Sequence, residues 1–150
     1  MAAARRAAAG GVAVIVLSLL AAGCGSDDST SVTQAEFVKK AEKLCEDAQR
    51  RQGEATAKAA ESFPRAEIEK VSTQEGVVLV GIGVYEDTTE SLGSLQAPTG
   101  EEEAVERLLE AREEAAVRVR EAPATVLFSK YPFRQANDLA AGYGVSKCQA

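Results

Sequence analysis

The stretch Val77-Val78-Leu79-Val80-Gly81-Ile82-Gly83-Val84-Tyr85 decides between an all-helical chain and one with a buried strand. Its β-branched content suits a strand, and each interior glycine costs a helix about 1 kcal/mol. The wider pattern favours helix. Ile68, Val71, Glu75, Val78, Ile82, Tyr85, Thr89 and Leu92 keep a spacing of three and four through the segment, which is one helical face. No second stretch of the chain reads as a strand that would pair with it. The spacing therefore predicts a helix from Pro64, a residue suited to a first helical turn, as far as Pro98. Gly81 and Gly83 are expected to let a neighbouring helix approach closely, and the strand remains the alternative reading.

The flanking segments are helical by the same rule. Thr33 and Glu36 form the pattern of a capping box, with Val32 and Phe37 as the hydrophobic staple around it. Phe37, Ala41, Leu44 and Ala48 then fall on one face, and Cys45 lies at its edge. A second box, Thr99 with Glu102, opens the next helix after Pro98. Its apolar face is Val105, Leu108, Leu109, Ala115, Ala116 and Val119. Glu103–Arg107 and Glu114–Arg118 are i,i+4 pairs in the favourable order, and Glu101-Glu102-Glu103 suits the positive end of the helix dipole. Arg112 falls near the apolar stripe and is expected to extend its head group to water. Pro123 ends this helix. Residues 124–131 read as irregular, with Val126, Leu127 and Phe128 covering the core. A last helix begins at Pro132, carries Phe133, Ala136, Leu139 and Ala140, and finds C-terminal caps in Gly142 and Gly144. The expected fold class is all-α: a four-helix bundle, up-down-up-down, over residues 33–150.

The N-terminus has the layout of an export signal. Arg5 and Arg6 give a positive start, Ala7 to Ala22 carries only apolar and small residues, and Ala21-Ala22-Gly23 precede Cys24. A membrane-spanning anchor is the alternative, but the stretch is short and Ala/Gly-rich for a bilayer core that takes about 20 apolar residues. Leu20-Ala21-Ala22-Gly23-Cys24 resembles a lipobox, the site cut before a diacylglyceryl-modified cysteine, although the strict pattern prefers Leu where Ala21 stands. This reading makes 1–23 a lipoprotein signal peptide and Cys24 the lipidated first residue. Residues 24–32, with Ser26-Asp27-Asp28-Ser29-Thr30-Ser31, form a flexible tether. The Arg5-Arg6 pair lacks the flanking residues of a twin-arginine signal, so ordinary secretion is expected.

The chain has three cysteines. Lipid on Cys24 leaves Cys45 and Cys148, which an oxidising compartment permits to pair. That bond closes a loop of about 100 residues, about 4.7 kcal/mol in the chain-entropy model. An antiparallel last helix would carry Cys148 back toward the first half of helix 1, where Cys45 lies. Two unrelated buried thiols are the alternative.

Composition narrows function by exclusion. There is no histidine, which removes Ser-His-Asp and Cys-His catalysis and His-ligated zinc or haem iron. The cysteines make no close-spaced metal pattern, and Gly81-Ile82-Gly83 lacks the third glycine of a dinucleotide loop. Removing residues 1–23 takes two arginines and no acid from a chain of formal charge −6, leaving about −8. Nucleic-acid binding, which needs a basic patch, is therefore not expected. With no Trp, four Phe and three Tyr, the core must be built from Ala, Val and Leu.

Several marks together resemble a broad group of small cell-envelope lipoproteins from high-GC actinobacteria. They are Leu20–Cys24, Glu36-Phe37, Leu44-Cys45, the bend Leu95-Gln96-Ala97-Pro98, and the ending Tyr143-Gly144-Val145-Ser146-Lys147-Cys148. The resemblance implies a lipid-anchored helical framework on the extracytoplasmic face of the membrane, and no catalytic, cofactor or metal residue. The leading expectation is a non-enzymatic envelope module that binds another envelope protein or merely occupies the surface. A carrier of a small apolar ligand in the core is the second reading. A carboxylate-based hydrolase using Glu75, on the stripe of the second helix, is the third. The anchor is tested by mass spectrometry of wild type against Cys24→Ser: a lipid-dependent mass lost in the variant is expected, and equal unmodified masses would overturn it.

Overall fold

The computed structural model describes residues 31–64, 70–129 and 131–150. The signal segment 1–23, the lipid site Cys24, most of the tether and Ile68 lie outside the described residues. The chain is all-helical, with no strand among the described residues. Its elements are α1 (Gln34–Glu61), α2 (Val71–Gly93), α3 (Glu102–Glu121), the short α4 (Ala124–Phe128) and α5 (Arg134–Tyr143). Two 3-10 turns, Tyr131–Phe133 and Ser146–Cys148, flank α5.

The capping box at α1 forms as the residues dictate. The Glu36 N–H donates to Thr33 Oγ1 at 3.3 Å, and the Thr33 N–H donates to Glu36 Oε2 at 3.0 Å. These bonds hold the Glu36 carboxyl below its ordinary range. Val32 packs with the core cluster that contains Phe37, so the staple closes as well. The buried face of α1 is Phe37, Ala41, Cys45 and Ala48. Cys45 is central to it, and Leu44 is the half-buried neighbour, the reverse of the expected order.

Helix α2 contains the whole Val77–Tyr85 stretch. Ile82, Tyr85, Thr89 and Leu92 are buried along one side, continuing the three-four spacing. Buried Thr88 and Thr89 satisfy their hydroxyls within the helix, donating to the Val84 carbonyl at 2.6 Å and the Tyr85 carbonyl at 2.9 Å. At Gly81 a Cβ would stand 3.1 Å from Gln52 Nε2 and 3.4 Å from Thr56 Cγ2, so α1 does approach closely there. Gly83 faces open space and serves no such contact. The helix starts later than expected. Pro64 is non-helical and follows the end of α1, whose last turn closes as the Phe63 N–H donates to the Ala60 carbonyl. α2 begins instead after Lys70, whose carbonyl accepts from the Thr73 and Gln74 amides.

Three further expectations are corrected between Pro98 and Pro132. The Thr99–Glu102 box does not form, because a turn intervenes. The Glu101 N–H donates to the Pro98 carbonyl at 3.0 Å, Gly100 supplies φ +84°, and Glu101 becomes the residue before the helix. Pro123 lies just past α3 but also starts a helix, since its fixed φ suits a first turn; 124–128 is therefore helical rather than irregular. Phe128 does not cover the core and is 80% exposed.

The last helix starts at Arg134, two residues after Pro132, which sits in the 3-10 turn. It ends in a Schellman motif: Gly144 adopts φ +92°, its N–H donates to the Ala141 carbonyl, and the Val145 N–H donates to the Ala140 carbonyl at 2.9 Å. Gly144, not Gly142, is the cap. The motif drives Val145 into the core, where both it and Ala140 are fully buried.

Neighbouring long helices pack in sequence order, α1 on α2, α2 on α3 and α3 on α5. The turn Ser146–Cys148 then returns to α1. Arg120 forks onto Glu86 through Nε and Nη2, tying α3 to α2 and holding the Glu86 carboxyl below its ordinary range. Two apolar clusters result. One holds Phe37, Cys45, Leu92, Leu108, Val145 and Cys148; the other holds Ile82, Tyr85, Ala115, Ala116, Val119 and Phe133. Because Gly83 is mid-helix with room for a methyl group, Gly83→Ala is expected to stabilise the protein by about 0.5–1 kcal/mol in urea unfolding. A destabilised variant would contradict the helical assignment of this stretch.

Candidate ligand-binding groove

Arg112 stands in the middle of the apolar face of α3 and is only 2% exposed. Its head group does not reach water as the sequence suggested. The guanidinium instead lies over the Tyr85 ring, 4.0 Å from the centroid. Nε donates to Thr89 Oγ1 at 3.0 Å and Nη1 to the Cys148 carbonyl at 2.7 Å; neither bond uses Nη2. Thr89 relays the polarity onward by donating to the Tyr85 carbonyl. Among the described residues no carboxylate forms an ion pair with Arg112. Removing a lone charge from water costs several kcal/mol even after relaxation, so this cation is held by neutral acceptors and a π face. Burial pulls the guanidinium down from its ordinary pKa, partly opposed by Tyr85, yet an arginine stays protonated in a protein.

The carbonyl under Arg112 is fixed covalently. Cys45 and Cys148 form a disulfide with Cα atoms 5.0 Å apart, closing a span of 103 residues. Side chains on α1 reinforce the joint. Gln49 Nε2 donates to the Lys147 carbonyl at 2.7 Å, Lys147 Nζ donates to Glu46 at 2.8 Å, and Ser146 Oγ donates to Glu42 at 3.2 Å. The two expected disulfide residues are thus brought together, within the first apolar cluster and beside the polar contacts of Arg112.

Tyr85, whose ring lies under Arg112, also lines a groove. The groove, about 480 Å³, is lined by Val77, Val78, Ile82, Val119, Val126 and Phe133, with Gln49, Gln52 and Thr56 of α1 on the opposite side. The β-branched run that suits a strand therefore supplies one wall of a ligand-sized concavity. A smaller cavity of about 30 Å³ adjoins it and is bounded by the disulfide, Thr88, Arg112 and Lys147. Tyr85, Gln49, Gln52, Gln149 and Ala150 belong to both spaces. Among the described residues no Asp or Glu side chain lines either one. The Tyr85 hydroxyl is buried with no hydrogen-bond partner among the described residues. Burial pushes its pKa up against the pull of Arg112, so it is a neutral donor.

A wider hollow of about 720 Å³ between α3 and α5 has a different character. Its arginines are neutralised along their own helices: Arg107 by Glu103 at 3.7 Å, Arg118 by Glu114 at 2.6 Å, and Arg134 by Asp138 at 3.9 Å. Each of its three arginines thus has a carboxylate, and its wall mixes these charges and Glu110 with Ala111, Tyr131 and Leu139. Glu75 is half-buried on α2 and lines none of these spaces. Among the described residues no group of three metal-ligating side chains exists, and no helix is long and apolar enough to cross a membrane.

Sequence reasoning found the disulfide and missed Arg112. The available signal was a cation flanked by Ala111, Ala115 and Ala116, opposite a helix that carries Tyr85, Thr88 and Thr89 on its own buried face. No protein-family model matches the chain, and no curated protein and no solved structure matches it.

An unpartnered buried hydroxyl costs about 1–3 kcal/mol. Tyr85→Phe, which keeps the ring under Arg112, is accordingly expected to leave stability unchanged or raise it by about 1 kcal/mol in thermal unfolding. A loss of more than about 1 kcal/mol would mean that the hydroxyl is satisfied in solution.

Proposed function

We propose that this chain is a lipid-anchored extracytoplasmic binding module whose helical domain holds a small apolar ligand. In this reading the long helices make an up-down-up-down four-helix bundle, closed by the disulfide and attached to the membrane through Cys24. The observation that carries the binding role is the groove of about 480 Å³ between α1 and α2, apolar on one wall and amide-rimmed on the other. A well-packed helical domain of this size has few voids larger than a water molecule. The absence of histidine supports a binding role over hydrolysis. The anchor and the export signal rest on the lipobox-like run before Cys24.

A docking role toward another envelope protein is the second reading, supported by two exposed aromatics close in sequence, Phe128 at 80% and Tyr131 at 72%. The two roles are compatible, since a ligand module also delivers its cargo to a partner.

The groove is tested with the full chain and N-phenyl-1-naphthylamine, a dye that fluoresces in apolar sites. Val78→Trp places an indole in the groove and is expected to weaken dye binding by about tenfold or more, while Val117→Trp, on the 54%-exposed side of α3, leaves it unchanged. Helical circular dichroism of both variants controls for folding. A dye that fails to bind, or that binds Val78→Trp as it binds the wild type, sinks the proposal.

A further inference from the structure

We infer that the groove and its adjoining cavity form one amphiphile site, taking an alkyl chain in the groove and an anionic head, a carboxylate, against Arg112. The inference rests on the groove reading and adds the chemistry of the ligand's polar end.

Three independent observations lead there. The first is charge. Arg112 is 2% exposed, meets only neutral acceptors, and leaves Nη2 outside both of its hydrogen bonds. A buried guanidinium with its Nη2 amino group outside both bonds is well matched to an anionic oxygen such as that of a carboxylate. The second is continuity. The small cavity at Arg112 shares Tyr85, Gln49, Gln52, Gln149 and Ala150 with the apolar groove, so the two spaces adjoin along Tyr85 and are close enough for one ligand to reach from one to the other. The third is the company that a head group would keep. Among the described residues no Asp or Glu lines that cavity, the Lys147 ammonium at its edge is already matched by Glu46 at 2.8 Å, and the Tyr85 hydroxyl is a buried donor without an acceptor. A buried guanidinium without a carboxylate partner, next to a buried hydroxyl without an acceptor, is arranged for an anion.

Volume sets the proportions of the ligand. About 30 Å³ beside Arg112 admits a head of few atoms and excludes a sugar or a phosphodiester, whereas about 480 Å³ in the groove accommodates a medium to long alkyl chain. A monoanionic fatty-acid-like amphiphile meets both limits.

Displacement of the bound dye by laurate and by 1-dodecanol separates the head from the tail, because the two share a chain length and differ in charge. Laurate is expected to displace the dye at about tenfold lower concentration than dodecanol from the wild-type chain. Arg112→Gln is expected to remove that preference and leave dodecanol unaffected. Equal displacement by the two probes overturns the head-group assignment while leaving the groove intact; no dye binding at all takes the groove with it. A preference that persists in a folded Arg112→Gln also overturns the assignment. Where that variant loses its helical signal, carboxyl-labelled laurate on the wild type decides by NMR. Bound carboxylate held by Arg112 stays ionised as pH falls through the usual carboxylate range, and a bound acid that titrates like a solvated one overturns the inference.

Discussion

A guanidinium held between a tyrosine ring, a threonine hydroxyl and a main-chain carbonyl joins the second and third helices of this molecule to its C-terminal turn. Arg112 belongs to α3, Tyr85 and Thr89 to α2, and Cys148 to the turn that returns to α1. Each partner must be in register before the charge is compensated, so burial of Arg112 couples the packing of three helices to the placement of the C-terminal turn. The cost of an uncompensated buried charge, several kcal/mol, exceeds what any one apolar contact in this Ala/Val-rich core contributes. Alternative packings that rotate α3 by a residue or slide the C-terminal turn are disfavoured for that reason. The two apolar clusters on either side of the arginine supply the bulk of the burial, and the arginine fixes how they face each other.

The disulfide and the Schellman motif work on the same joint from opposite sides. Gly144 turns the chain sharply enough for Val145 to fill the core, which leaves Cys148 three residues later against Cys45. The Cys148 carbonyl then stands beneath Arg112. Local backbone geometry, a covalent bond and a charge requirement agree on one position for the end of the chain, and such agreement across levels is what singles out one structure. The groove lies just beyond this joint, between helices that Gly81 lets come close and residues whose branching keeps the wall stiff.

Much of the fold is legible in the sequence because its signals are periodic or local. The Thr33–Glu36 box, the three-four stripe through Val77–Tyr85 and the pairing of Cys45 with Cys148 all follow from spacing and counting. Helix starts were harder to read. Pro64 and Thr99 each carry a valid start signal, yet Pro64 follows the close of α1 and Thr99 is absorbed into the Pro98–Glu101 turn; a one-dimensional pattern does not rank competing local signals. The site was the least legible. An arginine on an apolar stripe reads as an amphipathic side chain reaching solvent, and only the three-dimensional neighbours, Tyr85 across the interface and a carbonyl 36 residues away, make burial affordable. The groove escapes for a related reason: a concavity is a property of the space between helices, and Val77, Val78, Val119, Val126 and Phe133 lie too far apart along the chain to announce it.

The position of the disulfide has a mechanical consequence. Tension applied to the chain before Cys45 and after Cys148 passes through the sulfur–sulfur bond and does not load the residues between them. Only the first part of α1 and the last few residues bear such a pull. The groove wall on α2, the arginine on α3 and the whole of α5 sit inside the shielded span. A domain wired this way keeps its groove and its buried arginine in shape while the segments outside the disulfide are pulled.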